Sequence, residues 1–181
     1  MRNIWIYAKN LAANIARSVR YRGKYKAPLI SSFDNLSVTV IRGGKIEIGN
    51  YSQCRGSVYF VCDGGLMTIG KHCFFNTGCS VTCVKSILIG DGCTFGNNVV
   101  IVDHDHDFNN EKTGCFVASQ IEIGENVWVG ANTVILRGTK IGNNCVIGAG
   151  SVIKGIIPDN SIIIQKRNQI VRQRGCLLIN D

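Results

Sequence analysis

The sequence predicts an all-β protein: a parallel β-helix of short strands stacked as a triangular solenoid, with an amphipathic helix at its N-terminal end and one extruded loop. Three observations predict it. Stepping by six residues from Ile123 lands on Val129, Ile135, Ile141, Ile147 and Ile153, every one β-branched; a period of six belongs neither to a helix nor to a long alternating strand. The residue after each is usually glycine (Gly124, Gly130, Gly142, Gly148), and four residues on stands a small or β-branched side chain (Val127, Thr133, Thr139, Cys145, Ser151). The composition agrees, with 21 Gly, only 2 Pro and many short Ile/Val runs, so the turns must use Gly and Asn while the strands use residues that fit a pleated surface.

Residues 1–35 form the first region. Ile4, Ala8, Leu11, Ile15 and Val19 recur at helical spacing with basic residues on the other side. This reads as an amphipathic helix capping the solenoid's open end, since an exposed terminal coil needs a cap; contact with a membrane surface is the other role open to it. The solenoid follows over 36–160. The six-residue phase runs through Ile48, Cys54 and Phe60, through Ile69, Phe75, Val81 and Ile87, and after a two-residue shift through Ile89, Phe95 and Ile101. At about 18 residues per coil and ~4.8 Å of rise, it supplies about six coils. Cys73, Cys79, Cys93 and Cys145 fall at the small interior position, which assigns them to core filling. The phase breaks after Ile101 and resumes only at Ile123, so a loop over roughly 103–118 leaves the coils, and such insertions are where binding residues concentrate in repeat folds. Residues 161–181 read as a tail packing on the last coil.

Charge and cysteine usage narrow the classes. The net charge is +8, yet Arg2, Lys9, Arg17, Arg20, Arg22, Lys24 and Lys26 precede the first acidic residue, so the excess is local to the N-terminus. That patch carries no nucleic-acid-binding motif, and nucleic acid is not an expected partner. No apolar run has the length of a membrane span, and Ile4 to Ala8 is too short for a signal-peptide core. Nine Cys without CxxC spacing suit reduced thiols. The expected location is cytoplasmic, at the inner face of the membrane if the basic helix touches lipid.

Residues 101–108 read IVDHDHDF, at the root of the extruded loop. Neutral imidazole, with a pKa near about 6.5, is suited to removing a proton from a hydroxyl at neutral pH. His104 and His106 are therefore candidate bases, and Asp103, Asp105 or Asp107 could accept the other ring N–H. His72 falls at a turn outside the core. Trp128 is an unusual outward aromatic that could wall a channel. Backbone N–H groups near Gly130 and Ala131 are candidate oxyanion donors.

The segments IGENVWVG and GTKIGNNCVIGAGSVI, together with the histidine-bearing loop, resemble the hexapeptide-repeat acyltransferases over about residues 45–165. The likeness is strongest to the branch holding galactoside and maltose acetyltransferases and the O-acetyltransferases of bacterial surface polysaccharides. The resemblance implies a left-handed β-helix, a homotrimer with active sites between subunits, and transfer of acetyl from acetyl-CoA to a sugar or glycan acceptor, with no metal expected. It places a catalytic histidine at the loop's root: a gapless forward count from IGDGC at 89–93 selects His106, a backward count from Trp128 selects His104, and the forward count runs along continuous coils. The catalytic set is then His106, His104 and Asp105. The same count puts Asn76 at the acceptor sugar, joined by Trp128 and Asp103. Coenzyme A is placed along the C-terminal coils, against Trp128, Gly130, Ala131, Gly148, Ala149 and Lys154, with Lys166 and Arg167 as phosphate contacts and Arg172 and Arg174 beyond them. The family's Gly-x-Pro-Ala-Lys ending is replaced here by IIIQKRNQIVR at 162–172.

Two other readings are open to the residues. A related solenoid carries zinc in γ-class carbonic anhydrases, and zinc catalysis needs about three converging protein ligands. A non-catalytic solenoid scaffold would need no histidine loop facing a tryptophan-bearing coil.

Overall fold

In the computed structural model the described residues are 4–28, 31–107 and 115–166. They form a left-handed parallel β-solenoid of about six turns with one N-terminal helix. One face stacks Tyr25–Lys26, Lys45–Ile48, Leu66–Ile69, Ser86–Ile89, Ile121–Ile123, Lys140–Ile141 and Ile156–Ile157 in that order. A second stacks Phe74–Phe75, Thr94–Phe95, Trp128–Val129, Val146–Ile147 and Ile162–Ile163, and a third stacks Ser80–Cys83, Val100–Val102, Val134–Leu136 and Val152–Ile153. The second and third faces are continuous at the N-terminal end because the long strand Gln53–Asp63 bends from one onto the other, pairing first with Phe74–Phe75 and then with Ser80–Cys83. Strand pairing begins before the expected boundary at 36: Tyr25 already pairs with Ile46, and Ser32–Ile41 runs beside Gln53–Asp63.

The six-residue phase works because each inward residue lands on its counterpart one coil away. Ile48, Ile69, Ile89, Ile123, Ile141 and Ile157 form one column. Phe60, Val81, Ile101, Ile135 and Ile153 form another. These side chains are buried, each worth about 1.5–3 kcal/mol relative to exposure. Phe75 and Phe95 stack with ring centroids 4.5 Å apart, and Phe60 meets Phe75 edge-on at 5.1 Å. The interior cysteines fill the narrow corners: the thiols of Cys73, Cys79, Cys93 and Cys145 point to the carbonyls of Gly90, Gly96, Gly124 and Pro158 at 3.0–3.2 Å. Burial pushes the Cys79 thiol up from its ordinary range, which keeps it protonated and inert.

The corners stack as closely as the strands. Asn126, Asn144 and Asn160 take left-handed backbone, which Asn tolerates better than most residues, and their side-chain amides form a ladder at 3.4 and 3.3 Å. At Gly130 a Cβ would lie 2.5 Å from the backbone nitrogen of Ala149 in the next coil. Past the last coil, the Gln165 side-chain amide pairs with both backbone groups of Val152, at 2.9 and 2.7 Å, and covers part of an open strand edge. The tail expected over 161–181 is thus a further strand as far as Ile163, while 167–181 lies outside the described residues.

The helix Ile4–Arg20 does lie on the N-terminal coil, but not by the face an amphipathic cap is expected to bury. Its docked side is polar. Asn14, fully buried, donates to the Ser31 carbonyl at 3.2 Å, Asn10 donates to Ser32 Oγ at 3.3 Å, and Arg17 donates to the Leu36 carbonyl at 2.7 Å. The hydroxyl of Tyr21, just past the helix, donates to the Val38 carbonyl at 2.7 Å. The physical reason is the partner surface: the first strand of the solenoid has no preceding coil, so its carbonyls need donors. Leu11, Ile15 and Val19 are left 40%, 47% and 72% exposed.

Candidate active site

The candidate site is built where the third face throws out its loop. Val100–Val102 ends at Asp103, and the chain then turns away as His104–His106, pairing antiparallel with Phe116–Ala118. The extruded segment is therefore a β-hairpin at its root, closed by Ser119 N–H to the Asp103 carbonyl at 2.9 Å and Asp107 N–H to the Cys115 carbonyl at 3.0 Å. Residues 108–114 lie outside the described set.

Asp103 is the anchor. Its side chain is fully buried, and its carboxylate accepts three backbone N–H bonds from the turn of the preceding coil: Val84 at 2.8 Å, Lys85 at 2.7 Å and Ser86 at 2.8 Å. The same carboxylate lies 3.0 Å from His104 Nδ1. A carboxylate holding three N–H groups acts as an acceptor, so His104 Nδ1 donates to it, and in the neutral ring this leaves the lone pair on Nε2. Asp103 was expected among the acceptor contacts. Its burial and its four bonding partners remove it from that role and make it the group that orients His104.

The two loop histidines differ in setting. His104 is mostly buried, its ring edge-on to Phe116 at 4.7 Å; His106 is exposed, its ring tilted against the same Phe116 at 5.2 Å. Asp105 is turned to a different partner: its carboxylate accepts from Arg137 Nε at 2.5 Å. That hydrogen bond holds the Asp105 carboxyl below its usual range, with the charge of Arg137 and, further off, that of Lys154 adding to it. Val102, His104, Asp105, His106, Asp107, Val117 and Arg137 line a cavity of about 560 Å³.

Arg137 and Phe116 were not anticipated from sequence. The register carries the signal for Arg137: Ile101 pairs with Ile135 and Val102 with Leu136, so the long insertion returns in phase and Arg137 directly follows the strand paired with the one that leads into the hairpin. A reading of the six-residue phase across the loop places Arg137 beside the hairpin. Lys154 follows Val152–Ile153, one coil beyond Arg137 on the same face. Phe116 carries no periodic signal because it sits in the insertion.

Other expected site residues fall elsewhere. Asn76 and Trp128 lie on the second face, Trp128 paired with Thr94 and Val146 and 48% exposed, and neither lines the cavity. Gly130 is buried and its N–H donates to the Ile147 carbonyl at 2.7 Å. That N–H is committed to the coil ladder, so it does not serve as the expected oxyanion donor. Gly148 N–H is likewise bonded to the Ile163 carbonyl at 2.8 Å. Ala131 and Ala149 stand at the same corner, half-buried and exposed, and Lys154 and Lys166 are exposed. Arg167, Arg172 and Arg174 lie outside the described residues. His72 is exposed at a corner, stacked on Tyr51 at 5.0 Å, and among the described residues no three His, Cys, Asp or Glu group as metal ligands.

Comparison with known proteins agrees with this architecture. Residues 120–155 match the family model of the bacterial transferase hexapeptide (six repeats), and residues 67–102 that of the hexapeptide repeat of succinyl-transferase. A galactoside O-acetyltransferase of Lactococcus lactis is 39% identical over 143 residues, 74% of this chain and 69% of that protein. A probable acetyltransferase of Mycobacterium tuberculosis is 31% identical over 139 residues, 73% of this chain but only 43% of that longer protein. Among solved structures, a hexapeptide-repeat acetyltransferase of Vibrio cholerae in complex with acetyl coenzyme A shares the fold, with a TM-score of 0.54 at 22% identity over 86% of this chain and 79% of that one. The repeat matches, the three-faced solenoid with its histidine hairpin, and the extended identity to the Lactococcus enzyme together make this chain a member of the hexapeptide-repeat acetyltransferase family.

Proposed function

We propose that the protein transfers acetyl from acetyl-CoA to a hydroxyl of a sugar or glycan acceptor, with His104 as general base. The observation that carries this reading is the buried Asp103 carboxylate, held by three backbone N–H groups and 3.0 Å from His104 Nδ1, at the edge of a cavity. In the proposed reaction His104 Nε2 removes the hydroxyl proton as the oxygen attacks the thioester carbon. Asp103 stabilises the imidazolium, and collapse of the tetrahedral intermediate breaks the C–S bond, returning the proton to the departing thiolate. General-base assistance of this kind is worth about 10²–10⁴ in rate. A neutral alcohol needs such help more than a free amine does, which favours O-acetylation. Asp105, Asp107 and Arg137 put charged hydrogen-bonding groups around the cavity, suited to the hydroxyls of a sugar. The buried Asp103 carboxylate beside Nδ1 supports His104 as the base over the His106 that the gapless forward count selects.

Asn76 and Trp128 enter this reading through a second copy of the chain. They lie on a different face from the hairpin, so a site that uses all of them has to be shared between subunits, and the homotrimer implied by the family provides one. Light scattering is expected to give three times the 19.7 kDa chain mass, and a fully active monomer would defeat the shared site. The test of function is CoA release with a panel of galactosides, maltose, nucleotide sugars and amino sugars, followed by mass spectrometry of the product. An ester-linked acetyl is expected. A stable amide product would reassign the acceptor atom, and hydrolysis of acetyl-CoA with no acetylated sugar in any reaction would overturn the reading.

A further inference from the structure

We propose that the outer face of the N-terminal helix docks the protein onto an anionic lipid bilayer. Asn10, Asn14 and Arg17, spaced by four and three residues, occupy one side of Ile4–Arg20 and are bonded to the first coil. With that side fixed, Ala8, Leu11, Ile15 and Val19, at spacings of three and four, are held outward and exposed. Ile15, Ser18, Val19 and Arg22 line an apolar groove of about 520 Å³. The stripe is thus presented by a rigid mount, because tilting it inward would break the polar bonds that satisfy the solenoid's first strand.

Charge identifies the occupant. Seven basic residues and no acidic one precede residue 27. Arg17 is engaged with Leu36 and Lys26 with Glu47, whereas Lys9, Arg20, Arg22 and Lys24 are exposed along or just beyond the helix. An outward apolar stripe accompanied by cations with no acid among them fits an interfacial helix, whose apolar residues enter the acyl boundary while Lys and Arg meet anionic headgroups. A second protein copy would have to supply acidic residues to meet the same charge. No helix among the described residues is long and apolar enough to cross a membrane, so the attachment is to the surface. The placement does not depend on the acetyl-transfer reading.

The test is flotation of the full chain with vesicles of phosphatidylglycerol and phosphatidylcholine in equal parts, against phosphatidylcholine alone, at low and high salt. Binding is expected to the anionic vesicles only and to fall as salt rises. Leu11→Gln/Ile15→Gln/Val19→Gln leaves the docked side untouched and is expected to lower vesicle affinity at least tenfold. Arg20→Gln/Arg22→Gln/Lys24→Gln is expected to lower it about fivefold per charge, on the order of a hundredfold together. Circular dichroism and thermal melting of both variants should match the wild type. Equal binding to neutral vesicles, no binding to either, or undiminished binding by the Leu11/Ile15/Val19 variant would overturn the proposal. So would a wild type that ignores vesicles while that variant loses its oligomeric mass, since the stripe would then be covered by another copy.

Discussion

Replacing Asp103 by Asn tests the proposed base through its tautomer. The carboxylate meets four groups: Val84 N–H and His104 Nδ1 on Oδ1, and Lys85 and Ser86 N–H on Oδ2. A carboxamide has one oxygen and one NH₂. If the oxygen replaces Oδ2, it keeps Lys85 and Ser86, and the NH₂ opposes Val84 N–H and faces His104. If it replaces Oδ1, two backbone N–H groups are opposed instead of one. The first arrangement is cheaper by one lost bond, and there His104 Nδ1 must become the acceptor, moving the proton to Nε2 where the base is needed. The opposed buried donor costs about 1–3 kcal/mol of stability, and at about 2–4 °C per kcal/mol for a chain of this size the melting temperature should fall by several degrees. The wrong tautomer should lower kcat far more, by about 10³–10⁴. The assay is thiol release from acetyl-CoA with a competent acceptor, beside a thermal melt and acetyl-CoA binding by calorimetry, the last expected to stay near wild type. A variant that melts as predicted yet keeps kcat within tenfold would refute the tautomer argument. One that loses acetyl-CoA binding as well would show that Asp103 acts through the coil rather than through His104.

His104→Ala should lower kcat by about a hundredfold or more with little change in acetyl-CoA KM, while His106→Ala should chiefly affect the acceptor; the reverse order would restore the forward count. Arg137→Gln should loosen the hairpin and raise acceptor KM severalfold, read from initial-rate kinetics, and charge-preserving Arg137→Lys should recover part of it. The Asp105–Arg137 pair also has a pH signature. Because the folded Asp105 carboxyl is held below its ordinary value, its contribution is present above the unfolded pKa of about 3.9 and is lost as pH falls through the folded value. The advantage of wild type over Arg137→Gln in melting temperature should therefore shrink on acidification below about pH 4, and an advantage that grows there would contradict the pairing. Gly130→Ala forces a Cβ to 2.5 Å from Ala149 N, a backbone atom, so it should destabilise by about 1–3 kcal/mol or more in denaturant titration; a neutral result would mean the coils separate easily.

The period of six determined the core, because a solenoid places each residue against one like it a coil away: Ile123, Val129, Ile135, Ile141, Ile147 and Ile153 are all buried, as their spacing required. The same local logic marked the insertion after Ile101 and its histidines, since a broken repeat is visible without any knowledge of packing. Pairings made across the chain were beyond that logic. Which aspartate holds which histidine depended on the turn at Val84–Ser86, where three N–H groups converge on Asp103. Arg137 reached Asp105 only because the loop returns in register. The helix shows the limit most plainly: its amphipathic pattern was correct, yet the direction it faces was set by unpaired carbonyls at the solenoid's edge, which drew Asn14 and Arg17 inward and left Leu11, Ile15 and Val19 outside. A sequence pattern records which residues share a face, whereas the chemistry of the surface opposite decides whether that face turns inward.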